Sequence, residues 1–120
     1  MKSASLTLLT LTFLFSCYPK IKIEGFEQEK WNQNIKSCDE NKVAIADLII
    51  SQEDKLLSKG QAEIKQLLGQ PDEHELYRRN QKFFHYHLTA GDSCSQIKTQ
   101  RKLSILFDAL DRSKELMITE

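Results

Sequence analysis

The chain has 120 residues, 40% hydrophobic and 28% charged, with 17 Lys and Arg set against 17 Asp and Glu. With no basic stripe to follow a phosphate backbone and no acidic block to keep the chain unfolded, nucleic acid is excluded as a partner and the composition is that of a packed globule. The length holds one core and not two.

At the N-terminus, Lys2 precedes Leu6, Leu8, Leu9, Leu11, Phe13, Leu14 and Phe15, spaced by Ser and Thr, and the run ends at Ser16 and Cys17. A positive start, a short apolar stretch and a small residue before a cysteine are the parts of a secretory signal, here closing on a lipobox, Leu14-Phe15-Ser16-Cys17. A permanent membrane helix needs about 20 predominantly apolar residues, and Pro19, Lys20 and Lys22 arrive too soon for that. Residues 1–16 therefore read as a lipoprotein signal peptide and Cys17 as the acylated first residue of the mature chain. Ordinary cleavage, leaving Cys17 a free thiol, and an uncleaved helix are the alternatives. Acylation implies an anchor in the bacterial cell envelope, expected in the outer membrane. Each buried CH₂ contributes about 0.8 kcal/mol, and two or more chains hold a protein stably. What remains after cleavage is roughly 100 residues, close to the commonest domain size.

Giving Cys17 to lipid leaves Cys38 and Cys94, and so a single intramolecular pairing. In an oxidising envelope a Cys38–Cys94 disulfide is the expectation; two buried thiols are the alternative. Neither cysteine has the electropositive surroundings of a catalytic thiol.

Residues 17–25 read as a lipidated tether, extended and partly mobile, with Pro19 and Gly25 as punctuation, and residues 26–120 as a single domain. From Phe26 to Cys38, Trp31, Ile35 and Cys38 recur at helical spacing, which predicts an irregular or short helical segment docking one side, with Trp31 as a core or docking residue. A first full helix is predicted over about 40–51, where Ile45, Leu48 and Ile49 share a stripe. A second follows Ser58, which with Gln61 has the spacing of a capping box. This helix carries Ile64, Leu67 and Leu68 on one face and is stopped by Gly69 and Pro71.

Past Pro71 the period changes to two. Phe84, Tyr86 and Leu88 fall on one face of a strand, with Phe83, His85 and His87 on the other. A short strand at Leu76 and Tyr77 precedes it through Arg79-Asn80-Gln81. Residues 89–101 form a long connection, Leu103, Ile105 and Phe107 mark another strand, and a turn over Asp108 to Arg112 leads to a last strand near 114–118. Helices first and then a meander of three or four antiparallel strands make an α+β domain, with the helices on one face of the sheet.

Leu67-Leu68-Gly69-Gln70-Pro71, the aromatic strand with Phe84 and Tyr86, and Leu103-Ser104-Ile105-Leu106-Phe107-Asp108 together resemble the small outer-membrane lipoproteins of the SmpA/OmlA type and their structural relatives, the β-lactamase-inhibitor-like domains, over about residues 58–118. The resemblance implies a helix–helix–sheet fold on a lipid tether that acts by protein contact. Family members include an accessory subunit of the outer-membrane protein assembly machine and inhibitors that bind an enzyme through their sheet. The chain departs from that pattern in the Phe26 to Cys38 segment, in its two cysteines and in Lys59-Gly60-Gln61-Ala62, and no partner-contacting residue carries over.

His85 and His87, two apart on one strand face, have a spacing that presents both rings to a metal, with Asp92 or His74 as further ligands. A zinc site wants three or four converging ligands, and spacing places only two. Asp108 and Asp111 flank a turn and read as turn residues rather than an acid/base pair. There is no Gly-rich phosphate loop and no nucleophile elbow. The expectation is a non-enzymatic protein-interaction or accessory scaffold with no cofactor, its partners the membrane, through Cys17, and another envelope protein. The alternative is an envelope module binding a metal ion or small ligand on the His85/His87 face.

Overall fold

A computed structural model describes residues 20–32, 41–89 and 101–120. Cys17 with the run read as a lipobox, Ile35, Cys38, Asp92 and Cys94 lie outside these residues, and with them the expected acylation site and the expected disulfide. The described chain is an α+β domain of three helices followed by a four-stranded antiparallel meander, β1 (Glu73–Leu76), β2 (Lys82–His87), β3 (Lys102–Phe107) and β4 (Ser113–Thr119), in spatial order β1-β2-β3-β4.

The strands obey the period of two. Phe84 pairs with Ile105 and Tyr86 with Leu103, while Leu116 faces Ile105 and Ile118 faces Leu103. These side chains form the inner face, which packs with Ala46, Ile49, Leu56, Ile64 and Leu68 into one core. A register shift in β4 between its pairings with Leu106 and Phe107 returns Ser113 opposite Phe107. There the buried Ser113 hydroxyl donates to Leu56 O.

Helix α2 (Asn41–Ser51) buries Ala46 and Ile49 and half-buries Val43, Ile45, Leu48 and Ile50. It ends where the Ser51 hydroxyl bonds Leu48 O at 2.6 Å, and a 3₁₀ turn, Glu53–Lys55, follows. Helix α3 (Gln61–Leu68) begins at Gly60 with no side-chain cap. The capping box expected from Ser58 and Gln61 does not form. Ser58 sits at φ +60, its N–H donates to Ser113 O at 2.7 Å, and Ser113 N–H donates to Lys59 O at 2.8 Å. Pairing with the start of β4 takes the backbone that a local cap would have used. At the other end the expected stop holds: Gly69 adopts φ +80, a conformation costly to residues with a Cβ, and its N–H reaches Lys65 O at 2.8 Å.

The last carbonyls of α3 are satisfied from a distance. Helix α1 (Gln28–Trp31) is only one turn long. Its Gln28 side-chain amide donates to Gln66 O at 3.2 Å and lies 3.4 Å from Leu67 O, and Trp31 Nε1 donates to Leu68 O at 2.9 Å. Those are carbonyls left without helical donors by the chain's exit from the helix. Trp31 is 2% exposed and packs between Phe26 and Tyr86, with ring centroids 6.3 and 6.0 Å away. Lys42 Nζ lies 4.9 Å from its ring centroid. Burial holds the Lys42 ammonium below its ordinary range, with Asp72 acting in the opposite sense.

Residues 20–25, expected as part of a loose tether, are packed on the body. Ile23 is buried. Glu24 N–H donates to Gln52 Oε1 and Gln52 Nε2 donates to Glu24 O, each at 2.9 Å.

Candidate functional site

The second face of the sheet carries Glu73 and Glu75 of β1, Phe83, His85 and His87 of β2, Lys102, Ser104 and Leu106 of β3, and Glu115, Met117 and Thr119 of β4. The buried residues of all three helices join the inner-face core instead, and Leu106, although buried, lies outside that core. Here the long strand period brings together side chains that sequence distance keeps apart.

At the centre is a hydrogen-bonded chain. Thr119 Oγ1 and Ser104 Oγ are 2.9 Å apart, Ser104 Oγ lies 2.7 Å from His85 Nδ1, and His85 Nε2 lies 2.6 Å from Glu75 Oε2. A neutral His85 with its proton on Nε2 satisfies the chain in one direction: Thr119 donates to Ser104, Ser104 to Nδ1, and Nε2–H to the carboxylate. An imidazolium satisfies it in the other direction through the two hydroxyls. Beside it, Lys102 Nζ bonds Glu73 Oε2 at 2.8 Å, and His87 Nε2 lies 3.4 Å from Glu73 Oε1. The hydrogen bond from Lys102 is the main reason the exposed Glu73 carboxyl sits below the usual carboxylate range.

Hydroxyl, imidazole and carboxylate in line share their composition with a hydrolytic triad, but the geometry does not give a nucleophile. Ser104 is fully buried and lies in β3, an interior strand paired on both sides. Its neighbouring backbone N–H groups are taken by the ladder and do not converge on a developing oxyanion. The arrangement orders side chains on a sheet.

The metal reading meets the same geometry. His85, expected on a solvated face, is 8% exposed, with both ring nitrogens engaged. His74 points to the opposite face, its ring edge-on to Phe84 at 4.6 Å. Among the described residues no group of three or more His, Cys, Asp or Glu is placed to hold a metal ion. Asp108 is a turn residue as expected, its Oδ1 accepting from Leu110 N–H and Arg112 N–H. Asp111 sits in the same turn at φ +60 and pairs with Lys82 at 2.9 Å.

An aromatic row runs along this face to the end of the first hairpin. His85 stacks on Phe83 with centroids 5.4 Å apart, Tyr77 meets Phe83 edge-on at 5.2 Å, and the Arg78 guanidinium lies 5.9 Å from the Tyr77 ring. Tyr77 is 44% exposed and its neighbour Leu76 88%. A 3₁₀ turn, Arg78–Asn80, carries the chain round, with Arg79 and Asn80 at positive φ. All four residues of β1 are exposed, and β1 is an edge of the sheet. A shallow depression of about 500 Å³, lined in part by Glu73, Glu75, Phe83, His85, Lys102 and Met117, opens beside the row.

Sequence reasoning found His85, His87 and Phe83, but not Glu75, Ser104, Thr119 or Lys102. A serine inside the apolar run Leu103 to Phe107 was the available signal, and only the strand register shows that it faces His85. No protein-family model matches the chain, and no curated protein or solved structure matches it. Among the described residues no helix is long and apolar enough to cross a membrane.

Proposed function

We propose that this chain is a bacterial envelope lipoprotein, anchored through acylated Cys17, which works without catalysis by presenting its outer sheet face to another envelope protein. The observation that carries this reading is the outer-face row Tyr77, Phe83 and His85, with Tyr77 44% exposed beside β1, an edge strand of the described sheet. Rigid aromatic side chains with a polar rim are the anchors from which protein interfaces draw most of their energy. An open edge strand offers backbone groups for a partner strand as well. The resemblance to SmpA/OmlA-type lipoproteins supports the same reading, since those domains act by protein contact.

The test is in-cell photo-crosslinking from position 77, with position 65 on α3 as the control face and Cys17→Ala as the unanchored control. Capture of a defined envelope protein from position 77 alone, lost in Cys17→Ala, is the expected result. Equal capture from both positions, or none from position 77, rejects it.

The depression beside His85 favours a second reading, a small-ligand module. Its lining joins carboxylates, an ammonium and an aromatic ring, so a zwitterionic ligand suits it better than a bare metal ion. Saturable binding of such a ligand, abolished by Lys102→Ala, would select this reading over the first.

A further inference from the structure

The anchor and the fold together set the orientation of the domain. Cys17 stands three residues before Lys20, and three residues of fully extended chain span at most about 11 Å. The chain after Lys20 has little slack, because Ile23 is buried, Glu24 and Gln52 exchange two hydrogen bonds, and Gln28 and Trp31 close the end of α3. The entry of the chain at Lys20 is thereby held close to the helical layer.

That place has the chemistry of a bilayer surface contact. A depression of about 520 Å³ opens there, with Lys20, Lys22, Ile21, Phe26 and Leu67 among its lining. Both lysines are exposed and the three apolar residues half-buried. Lysines beside partly covered apolar side chains suit the boundary between phosphate headgroups and acyl chains. Glu63 shares the lining, so charge alone does not select a strongly anionic membrane. The short tether supplies the bias.

We infer that the lipoprotein rests on its own bilayer through the surface formed by residues 20–26 and the C-terminal end of α3, with the phospholipid headgroup layer as its partner. The outer sheet face is then directed away from that bilayer. This rests on the acylation of Cys17 proposed above. It adds a reason why the His85 face is the one available to a soluble or neighbouring partner: the helical layer and the sheet stand between that face and the lipid.

The experiment uses the full-length protein made in its acylated form, with a photo-crosslinking residue at Lys22, Gln66, Phe83 or Met117 in four separate variants. Each is irradiated in the native membrane and read by intact mass. Acylated Cys17 with lipid adducts at 22 and 66, and their loss at 83 and 117, is the expected pattern. Acylated Cys17 with equal adducts at all four positions, or with adducts at 83 and 117 only, overturns the orientation and leaves the anchor standing. A mass without acyl chains overturns both.

Discussion

Replacing Trp31 by Phe keeps an aromatic ring in the core and removes one donor. In the wild-type fold Nε1 donates to Leu68 O, and the indole is almost wholly buried. The substitution leaves that carbonyl buried without its partner, for which the cost is about 1–3 kcal/mol. A shift of 1 kcal/mol moves the melting temperature of a domain of this size by roughly 4–8 °C, so Trp31→Phe is expected to melt roughly 10 °C lower. Trp31→Ala removes the packing against Phe26 and Tyr86 as well, and large-to-small changes of this kind cost about 3–5 kcal/mol. Because the substitution removes the only tryptophan, urea unfolding is followed by far-ultraviolet circular dichroism. A Trp31→Phe protein within about 0.5 kcal/mol of wild type would refute the view that α1 serves as a distant cap for α3. The same substitution loosens residues 20–32, so in the acylated protein it should also weaken the difference in lipid adducts between the two faces.

Gly69→Ala is expected to lose about 1–3 kcal/mol, because φ +80 with ψ −171 is a backbone conformation adopted essentially by glycine alone. The nearest atom to an added Cβ is Asn32 Oδ1 at 3.8 Å, so a clash is not the cause, and Gly69→Asn should lose as much in the same urea titration. Tyr86 donates to Gly69 O at 2.9 Å, and burial pushes its phenol well above the ordinary range, with Asp72 acting in the same sense. The folded state therefore disfavours the phenolate, and stability present below the unfolded phenol pKa of about 10 falls as pH rises above it. Phenolate absorbance from Tyr86 should appear together with unfolding, and Tyr86→Phe should remove this part of the alkaline loss. Ser104→Ala leaves His85 Nδ1 without its partner and should cost about 1–2 kcal/mol, with less loss in a Ser104→Thr protein that keeps the hydroxyl. Added zinc should leave the melting temperature unchanged, because both His85 nitrogens are occupied and His74 lies on the other face; a saturable rise would restore the metal reading.

Local chemistry in the sequence determined the order of elements and most of their limits. The period of two assigned Phe84 and Tyr86 to one face and Phe83, His85 and His87 to the other, and Gly69 with Pro71 marked the end of α3. These signals are local, since a strand's alternation and a helix's stop depend on neighbouring residues. The signal run and Cys17 likewise lie in consecutive residues, which is why a lipid anchor is proposed from sequence.

The tertiary structure decided what depends on contacts distant in the chain. Ser58 has the spacing of a cap, but pairing with Ser113 claimed its backbone. Residues 20–25 lack a helical or strand period and looked like a tether, yet Gln52 and the core hold them. Ser104 reads as a polar interruption in an apolar strand until register sets it beside His85, with Glu75 and Thr119 supplied by the neighbouring strands. Register follows from the whole buried face packing at once, so the outer-face network and the packing of residues 20–25 on the helical layer become visible only when the strands and helices are assembled.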